Sequence, residues 1–541
     1  LYAYWRSSVQ QDLSTQLGMK SLKACFQGLP ETPSAVINEA LTTLGLPRPA
    51  HYSYSLSLLF SINGWASWVA YEHWQANLAG DSNDLMLDLL AIRMAWDQAL
   101  LISALASKPD TATIWHKQWL NQAHQLPKLI EHAQRRQAHS WTWQTAAELA
   151  FQKHIVSQLS LAASQTSTSA SAAPKLQAVF CIDVRSEVLR RHLETQSPAI
   201  ATLGFAGFFG LPIDYALDTK AAKKPLLPGL LNPTLTALEK QGVTVLDASR
   251  RTAGLKALNS KAPSAFGIVE SLGIVYLLGL IKETFAPAAP TAEAAVALAQ
   301  NDISLMCQGS ELSSAEAADL LHGILVAMSL TEGFADTVLL IGHGAQSKNN
   351  PQLTALHCGA CCGSSGAASA RLLASLLNEA PIRAALGERG ISIPTRTQFV
   401  PALHNTTTDD IVLLSDTVLP SDVQNWLVNA STAARGERAS LLGVAEGSAE
   451  SVNSAIKSRA NDWSQVRPEW GLANNAGFLV APRALSRKAD LGGRMFLHEY
   501  VDAEDESGAV LESILTAPMV VTHWINMQYN ASVTDNFKFG S

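Results

Sequence analysis

The stretch LQAVFCI, residues 176–182, is apolar at nearly every position and is followed at once by the helical pattern SEVLRRHLETQ. A strand without a polar face must be covered on both sides, which happens almost only in parallel sheets flanked by helices. A second such run, DTVLLIGHG (336–344), is entered from the helical pattern SAEAADLLHGILVAMSL. It leads on to SSGAASARLLASLLNEAPI, whose small and hydroxyl residues open another helix. Strand, helix, strand, helix predicts an α/β fold with a parallel sheet.

Around this core the texture changes. Residues 1–161 read as a helical region, with apolar residues three and four apart in SLSLLFSINGWASWVAYEHWQANLAG and DLMLDLLAIRMAWDQALLISAL. Tryptophan recurs there at 65, 68, 74, 96, 115, 119, 141 and 143, a spacing that predicts core packing, with a partner-docking face as the alternative. The small, polar, uncharged stretch 162–174 reads as a linker. The α/β core then takes 175–400, with a Gly- and Pro-rich insertion at about 203–310. Residues 401–541 read as a mixed α+β region. Its pieces HNTTTDD, SRANDWSQVRPEWGLANNAGFLVAPR, DLGGRMFLHEYVD and THWINMQYNASVTDN are of the sort that form ordered loops over a site. The chain opens on LYAYWRSSVQ and stops at FKFGS, and reads as a fragment clipped at both ends.

With 541 residues, 47% hydrophobic and 16% charged, the chain can bury a large core. A formal charge of −7, with no basic stripe, speaks against nucleic acid as a partner. The six cysteines are too sparse for a disulfide scaffold and read as reduced cytosolic thiols, some of them on a metal. The most apolar window, SLGIVYLLGLI (271–281), is bounded by Glu270 and Lys282. Its length as a helix, about 16 Å, covers about half a bilayer core. It is expected to be a buried core helix, with a membrane-surface segment as the alternative, and no transmembrane helix is expected.

Chemistry concentrates where the two buried strands end. Parallel sheets bind ligands at the carboxyl ends of their strands. The first strand runs into Cys181, Asp183 and Arg185; the second runs into His343, flanked by glycines. Fifteen residues beyond His343 stands Cys358, in HCGACCG. Two thiolates and an imidazole form a tetrahedral zinc set. Asp183 can supply a fourth ligand, or Arg185 can take its carboxylate in a bidentate pair and leave that position to water. The two uses exclude each other. Zinc with two thiolates and a neutral His is close to net neutral and suits hydration of a small electrophile at neutral to alkaline pH. His357, Cys361 and Cys362 are rival ligands that spacing does not separate. The glycines of CGACCGSSG are expected to leave N–H groups free for a small anion such as bicarbonate. Cys25 and Cys307 read as structural, and His404 and His498 as hydrogen-bonded loop histidines. GFAGFFG (204–210) lacks the Lys-Ser/Thr of a phosphate loop.

These residues carry a resemblance. INGWASW, FCIDVRSE, IGHGAQSKNNP, LHCGACCG, NTTTDD, RANDWSQVRPEWGLANNAGF and VTHWINMQYNASVTDN resemble the DabA family, the large subunit of a bacterial inorganic-carbon accumulation system. The resemblance implies a core similar to a β-type carbonic anhydrase, with zinc on Cys181, His343 and Cys358. Asp183 is then the fourth ligand or the Arg185-paired gate. β-type carbonic anhydrases usually have this His and Cys three apart, so here an inserted loop, AQSKNNPQLTAL, must fold over the site. The resemblance also implies a membrane-embedded, antiporter-like partner of the DabB type, CO2 and bicarbonate as substrates, and a peripheral place on the cytoplasmic face of the inner membrane.

Overall fold

The structure, a computed structural model, describes residues 1–13, 20–164, 174–216, 223–239, 262–285, 303–307, 309–349, 356–465 and 474–535. It divides into two compact units, 1–153 and 154–541.

The first unit is helical. Leu22, Phe26, Val36, Ala91, Ala95 and Ala99 form one apolar cluster, against which Cys25 and Trp96 pack. Trp119 packs into a second cluster and donates its indole N–H to Leu44 O at 2.6 Å. Trp65, Trp68, Trp115, Trp141 and Trp143 are exposed, contrary to the core placement expected of them. The helix Pro109–Ser164 runs through the first three positions of the expected linker. The remainder of that linker, except Pro174, lies outside the described residues.

The second unit is built on strands β1 (Leu176–Cys181) and β2 (Ile200–Phe205), then β3 (Ile213–Ala216), β4 (Lys224–Pro225), β5 (Leu235–Glu239), β6 (Ile303–Cys307) and β7 (Ser310–Glu311), then β8 (Thr337–Gly344), β9 (Gln398–Asn405) and β10 (Asp410–Leu413). The main sheet has the order β10-β9-β8-β1-β2, parallel except for β10. Every residue of β1 and β8 is buried, as their apolar runs demand. Leu176, Ala178 and Phe180 face the helices Arg185–Gln196 and Ser421–Ala439, through Leu189, Leu193, Val423 and Leu427. Val179 belongs to the cluster on the other face, with Leu372, Leu373 and Leu377 of the helix Ala367–Asn378. Each such buried Leu, Val or Phe contributes about 1.5–3 kcal/mol.

From β1 the chain moves outward to β2, whereas from β8 it moves the other way to β9. The crevice at the carboxyl ends of β1 and β8 is therefore the topological switch point, where open α/β sheets place ligands. Between β2 and β8 stands a second sheet, β4-β3-β5-β6-β7. Its Ile213, Leu235 and Leu305 join the cluster around Leu321 and Ile324 of the helix Ser314–Ala327. That helix starts on a capping box of Ser313 and Glu316.

The window 271–281 is not a buried core helix. It belongs to a helix running Ala262–Phe285, and no residue of the apolar stretch Ser264–Phe285 is buried. Glu270, Lys282 and Glu283 do not end it, because Glu and Lys are good helix formers. This helix and Leu85–Ser107 are both long and apolar enough to cross a bilayer, which corrects the expectation that no helix here could.

In the last part of the chain, residues 522–534 of the piece THWINMQYNASVTDN are helical rather than a loop. Pro518 opens the helix, and it runs to Thr534. Strands β11 (Gly477–Val480) and β12 (Met495–His498) pair in parallel beside β2, where Glu499 N–H donates to Gly204 O. Residues 466–473, within the SRANDWSQVRPEWGLANNAGFLVAPR piece, lie outside the described residues.

Candidate metal centre

Adjacent parallel strands bring Cys181 and His343 side by side, since β1 and β8 pair with Phe180 opposite Ile341. Cys358 arrives from a tight loop that doubles back on itself, with Cys358 N–H donating to Ser364 O and Gly363 N–H to Cys358 O. The sulfur and nitrogen atoms of Cys181, His343 and Cys358 lie within 4.8 Å of one another, and all three residues are buried. Cys361 is buried nearby and Cys362 is exposed, but neither joins this group. His357 turns elsewhere, its Nδ1 accepting from Ala345 N–H at 3.2 Å.

Three observations show that a metal ion fits here. The two thiols stand 3.9 Å apart. Two sulfurs on one tetrahedral zinc, at about 2.3 Å each, stand about 3.8 Å apart. Both ring nitrogens of His343 are buried without a hydrogen-bond partner, a costly state that a metal ion relieves. Burial brings the imidazole down to about 3, so it is neutral and able to ligate at physiological pH. The hydrogen bond to Cys358 and burial push the Cys181 thiol well up, and burial does the same to Cys358. A cation between them reverses that penalty by favouring both thiolates.

Gly207 explains the run GFAGFFG. A Cβ there would meet Cys358 Sγ at 2.6 Å and Cys181 Sγ at 2.7 Å, so only glycine lets this turn close over the two thiols. The anion cradle expected of CGACCGSSG is largely closed by the loop itself. The N–H groups of Cys361, Cys362, Gly363, Ser364 and Gly366 all donate to backbone carbonyls.

Asp183 is held by Arg185. Its Oδ1 accepts from Arg185 Nε at 2.8 Å and from the Arg185 backbone N–H at 3.0 Å, and its Oδ2 accepts from Nη2 at 2.9 Å. Burial raises the proton affinity of this carboxyl, but the guanidinium outweighs it and holds Asp183 well below the usual carboxylate range. Oδ2 stands 3.6 Å from His343 Nδ1. Arg185 Nη1 also donates to Leu356 O at 2.8 Å and to Thr406 Oγ1 at 3.3 Å, which ties both ends of the 345–356 insertion to the site's edge together with Gln346 N–H on Thr407. Residues 350–355 of that insertion lie outside the described residues.

A cavity of about 20 Å³ lies against the Cys181, His343 and Cys358 side chains, room for about one water-sized molecule. Val521 and Ile525 of the helix Pro518–Thr534 and Phe496 of β12 form its apolar wall.

The sequence matches a family model described as "Probable inorganic carbon transporter subunit DabA" over residues 1–541. The chain belongs to the DabA family. A DabA protein of Hydrogenovibrio crunogenus is 42% identical to it, across 100% of this chain and 67% of its own length. Those of Vibrio cholerae and of a Marinomonas species are each 41% identical across 100% of this chain, and 66% and 68% of their own lengths are covered. This DabA chain thus spans about two thirds of the length of these relatives. No solved structure matches it.

Several residues that support the site of this DabA chain escaped the sequence reading. Arg438 donates to Asp409 and to the Arg185 carbonyl oxygen, and His404 Nε2 shares Asp409 at 2.9 Å. His404 is therefore hydrogen-bonded as expected, though on β9 rather than on a loop. His498 likewise sits on β12, its Nδ1 donating to Glu499 O at 2.8 Å. Nothing in local spacing signals Arg438, because 253 residues separate it from its partner Arg185.

Proposed function

We propose that this chain is the zinc-binding subunit of an energy-coupled inorganic carbon transporter. It hydrates CO2 to bicarbonate in one direction, together with a membrane-embedded, antiporter-like subunit of the DabB type that moves cations. The observation that carries this reading is the buried Cys181–His343–Cys358 set at the switch point of a parallel sheet, beside an Asp183 already paired with Arg185. The family's description as a probable inorganic carbon transporter subunit supports the substrate class.

When bound, zinc supplies the Lewis acidity that makes water a nucleophile at neutral to alkaline pH. The chain's own residues do the remainder. Arg185 takes both carboxylate oxygens of Asp183 and keeps them from acting as a fourth ligand, so a coordination position stays available to a small molecule. With its proton affinity held low, Asp183 stays ionised and orients rather than shuttles protons. The apolar wall of Phe496, Val521 and Ile525 accepts CO2, which is small and uncharged, and keeps bulk water out. This arrangement is the one a β-carbonic-anhydrase-like core would use.

Membrane association, placed here on the cytoplasmic face, draws support for the association alone from the helix Ala262–Phe285, whose apolar residues Val269, Ile274, Val275, Leu278 and Phe285 are all more than half exposed. Such a surface is larger than a freestanding enzyme needs and suits an apolar interface. If a cation gradient drives the reaction, the site must turn over only with its partner, or the accumulated bicarbonate would run back to CO2. The test is a CO2-hydration assay on the chain alone and on the chain co-purified with its membrane partner, with carbon uptake followed with and without an uncoupler. Little activity alone and uptake that collapses with the uncoupler are expected. Rapid two-way turnover by the isolated chain would make it a plain carbonic anhydrase instead.

A further inference from the structure

The chain leaves the second sheet at Glu239 and rejoins it at Ile303, and these two residues face each other across the antiparallel pair β5–β6. Everything between them is one excursion that starts and finishes at the same place. Its described part is the helix Ala262–Phe285. Five consecutive residues of that helix, Ile274, Val275, Tyr276, Leu277 and Leu278, are each more than half exposed. At about 100° per residue they point round the whole circumference. A helix that docks in a protein groove is apolar along one stripe, whereas one that is apolar all round needs apolar surroundings on every side.

The apolar stretch Ser264–Phe285 would be long enough to cross a bilayer, but the topology speaks against a crossing. Its last turn is tied to the protein body, where Glu283 pairs with Lys348 at 3.1 Å and Thr284 Oγ1 accepts from Trp463 Nε1 at 3.0 Å. A crossing would put the other end of the helix beyond the membrane, and 240–261 would have to run back through lipid to meet β5. Residues 240–261, outside the described ones, hold Lys240, Asp247, Arg250, Arg251, Lys256 and Lys261. Charges at that density do not pass through hydrocarbon. The same residues supply a sign. Five are basic and one is acidic, in a chain of formal charge −7, and they lead straight into the apolar helix. Basic residues beside an apolar helix are drawn to anionic headgroups.

We infer that the helix Ala262–Phe285 is a one-sided lipid anchor: it sinks into the near leaflet of an anionic bilayer, keeps both ends on the side of the protein body, and does not cross. Glu270 at one end and Lys282 and Glu283 at the other bound the uncharged stretch 271–281, and they stay at the level of the headgroups. The inference rests on the membrane association proposed above and adds that lipid, not the partner subunit, covers the helix.

The test is flotation of the purified chain, without any partner, on vesicles of phosphatidylglycerol or of phosphatidylcholine. The wild type is expected to float with the first and much less with the second. Ile274→Glu combined with Leu278→Glu, at two exposed positions, should cut binding by about tenfold or more. Sidedness is read with a membrane-impermeant maleimide added outside the vesicles, its reaction counted above that of the unsubstituted chain. Ser264→Cys and Phe285→Cys should both react, and Ile274→Cys should be shielded once vesicles are present. A wild type that stays off phosphatidylglycerol vesicles, a glutamate variant that floats like the wild type, or reaction at only one end of the helix would overturn the anchor. Equal flotation on both lipids would overturn the choice of an anionic surface. A chain that ignores bare vesicles but stays on membranes holding its partner would end this inference and leave the proposed function standing. If flotation and labelling follow the expected pattern while the partnered chain hydrates no CO2, the anchor stands and the proposed function falls.

Discussion

At the scale of single residues, the pairing of Asp183 with Arg185 decides what the metal site can do. Both are buried, and the guanidinium meets the carboxylate with two parallel hydrogen bonds. With the guanidinium removed, a metal held by Cys181, His343 and Cys358 would be the cation left beside the buried carboxylate, so Asp183 should swing onto it. Arg185→Ala is therefore expected to keep about one zinc per chain and to lose more than about nine-tenths of carbon uptake. Arg185→Lys should fare little better, because an ammonium cannot reproduce the fork. Metal analysis beside uptake measurements checks this, and full uptake in Arg185→Ala would remove Arg185 from the mechanism. Cys181 and His343 of the proposed ligand set were legible in the sequence because two apolar runs end on them, and a strand that must be buried has few reasons to finish on a thiol or a histidine. Gly207 and Arg438 were not, since their reasons for being there are contacts made only after folding: a turn laid on two thiols, and a guanidinium bonded to the Arg185 carbonyl.

At the scale of elements, the site's bracing runs through helix pairs. Glu437 of the helix Ser421–Ala439 accepts from Arg191 at 2.8 and 3.0 Å and from His192 Nε2 at 2.8 Å, both on the helix that Arg185 begins. Burial raises the Glu437 carboxyl, but His192 and Arg191 outweigh it and bring it down to about 2. A carboxyl depressed in the folded state stabilises above its unfolded value of about 4.5, and that contribution is lost as pH falls from there through about 2. Glu437 is partly exposed, so the effect is reduced by solvent. Urea midpoints compared at pH 6 and pH 3 should fall further for the wild type than for Glu437→Gln; equal falls would show that this link does not brace the helices. Strands and helices with clean periodicity, such as β1, β8 and Ser314–Ala327, were readable in advance. The helices Ala262–Phe285 and Pro518–Thr534 were not. In the first, the charged residues that bound the apolar window favour helix and so do not mark its ends. In the second, tryptophan and asparagine masked a pattern that Pro518 opens.

At the scale of the whole molecule, the exposed helix Ala262–Phe285 joins the apolar surface to the metal centre. Lys348, five residues past the proposed ligand His343, pairs with Glu283 at 3.1 Å, and Trp463 Nε1 donates to Thr284 Oγ1 at 3.0 Å. Docking of this helix would thus act on the segment that leaves His343. Replacing Ile274 and Leu278 by lysine is expected to release the chain from membranes that contain its partner, because a charge in an apolar interface costs far more than the lost contact. Fractionation of cells expressing both subunits reads this directly, and a double variant that stays membrane-bound would move the docking surface elsewhere. All of this depends on one zinc per chain, held by Cys181, His343 and Cys358. Zinc-edge X-ray absorption on the purified chain measures it most directly. About one zinc is expected, with two sulfurs at about 2.3 Å and one imidazole nitrogen at about 2.0–2.1 Å, and one sulfur fewer in Cys181→Ser or Cys358→Ser. A wild-type chain without zinc, or one whose zinc carries three or four sulfurs, would contradict it.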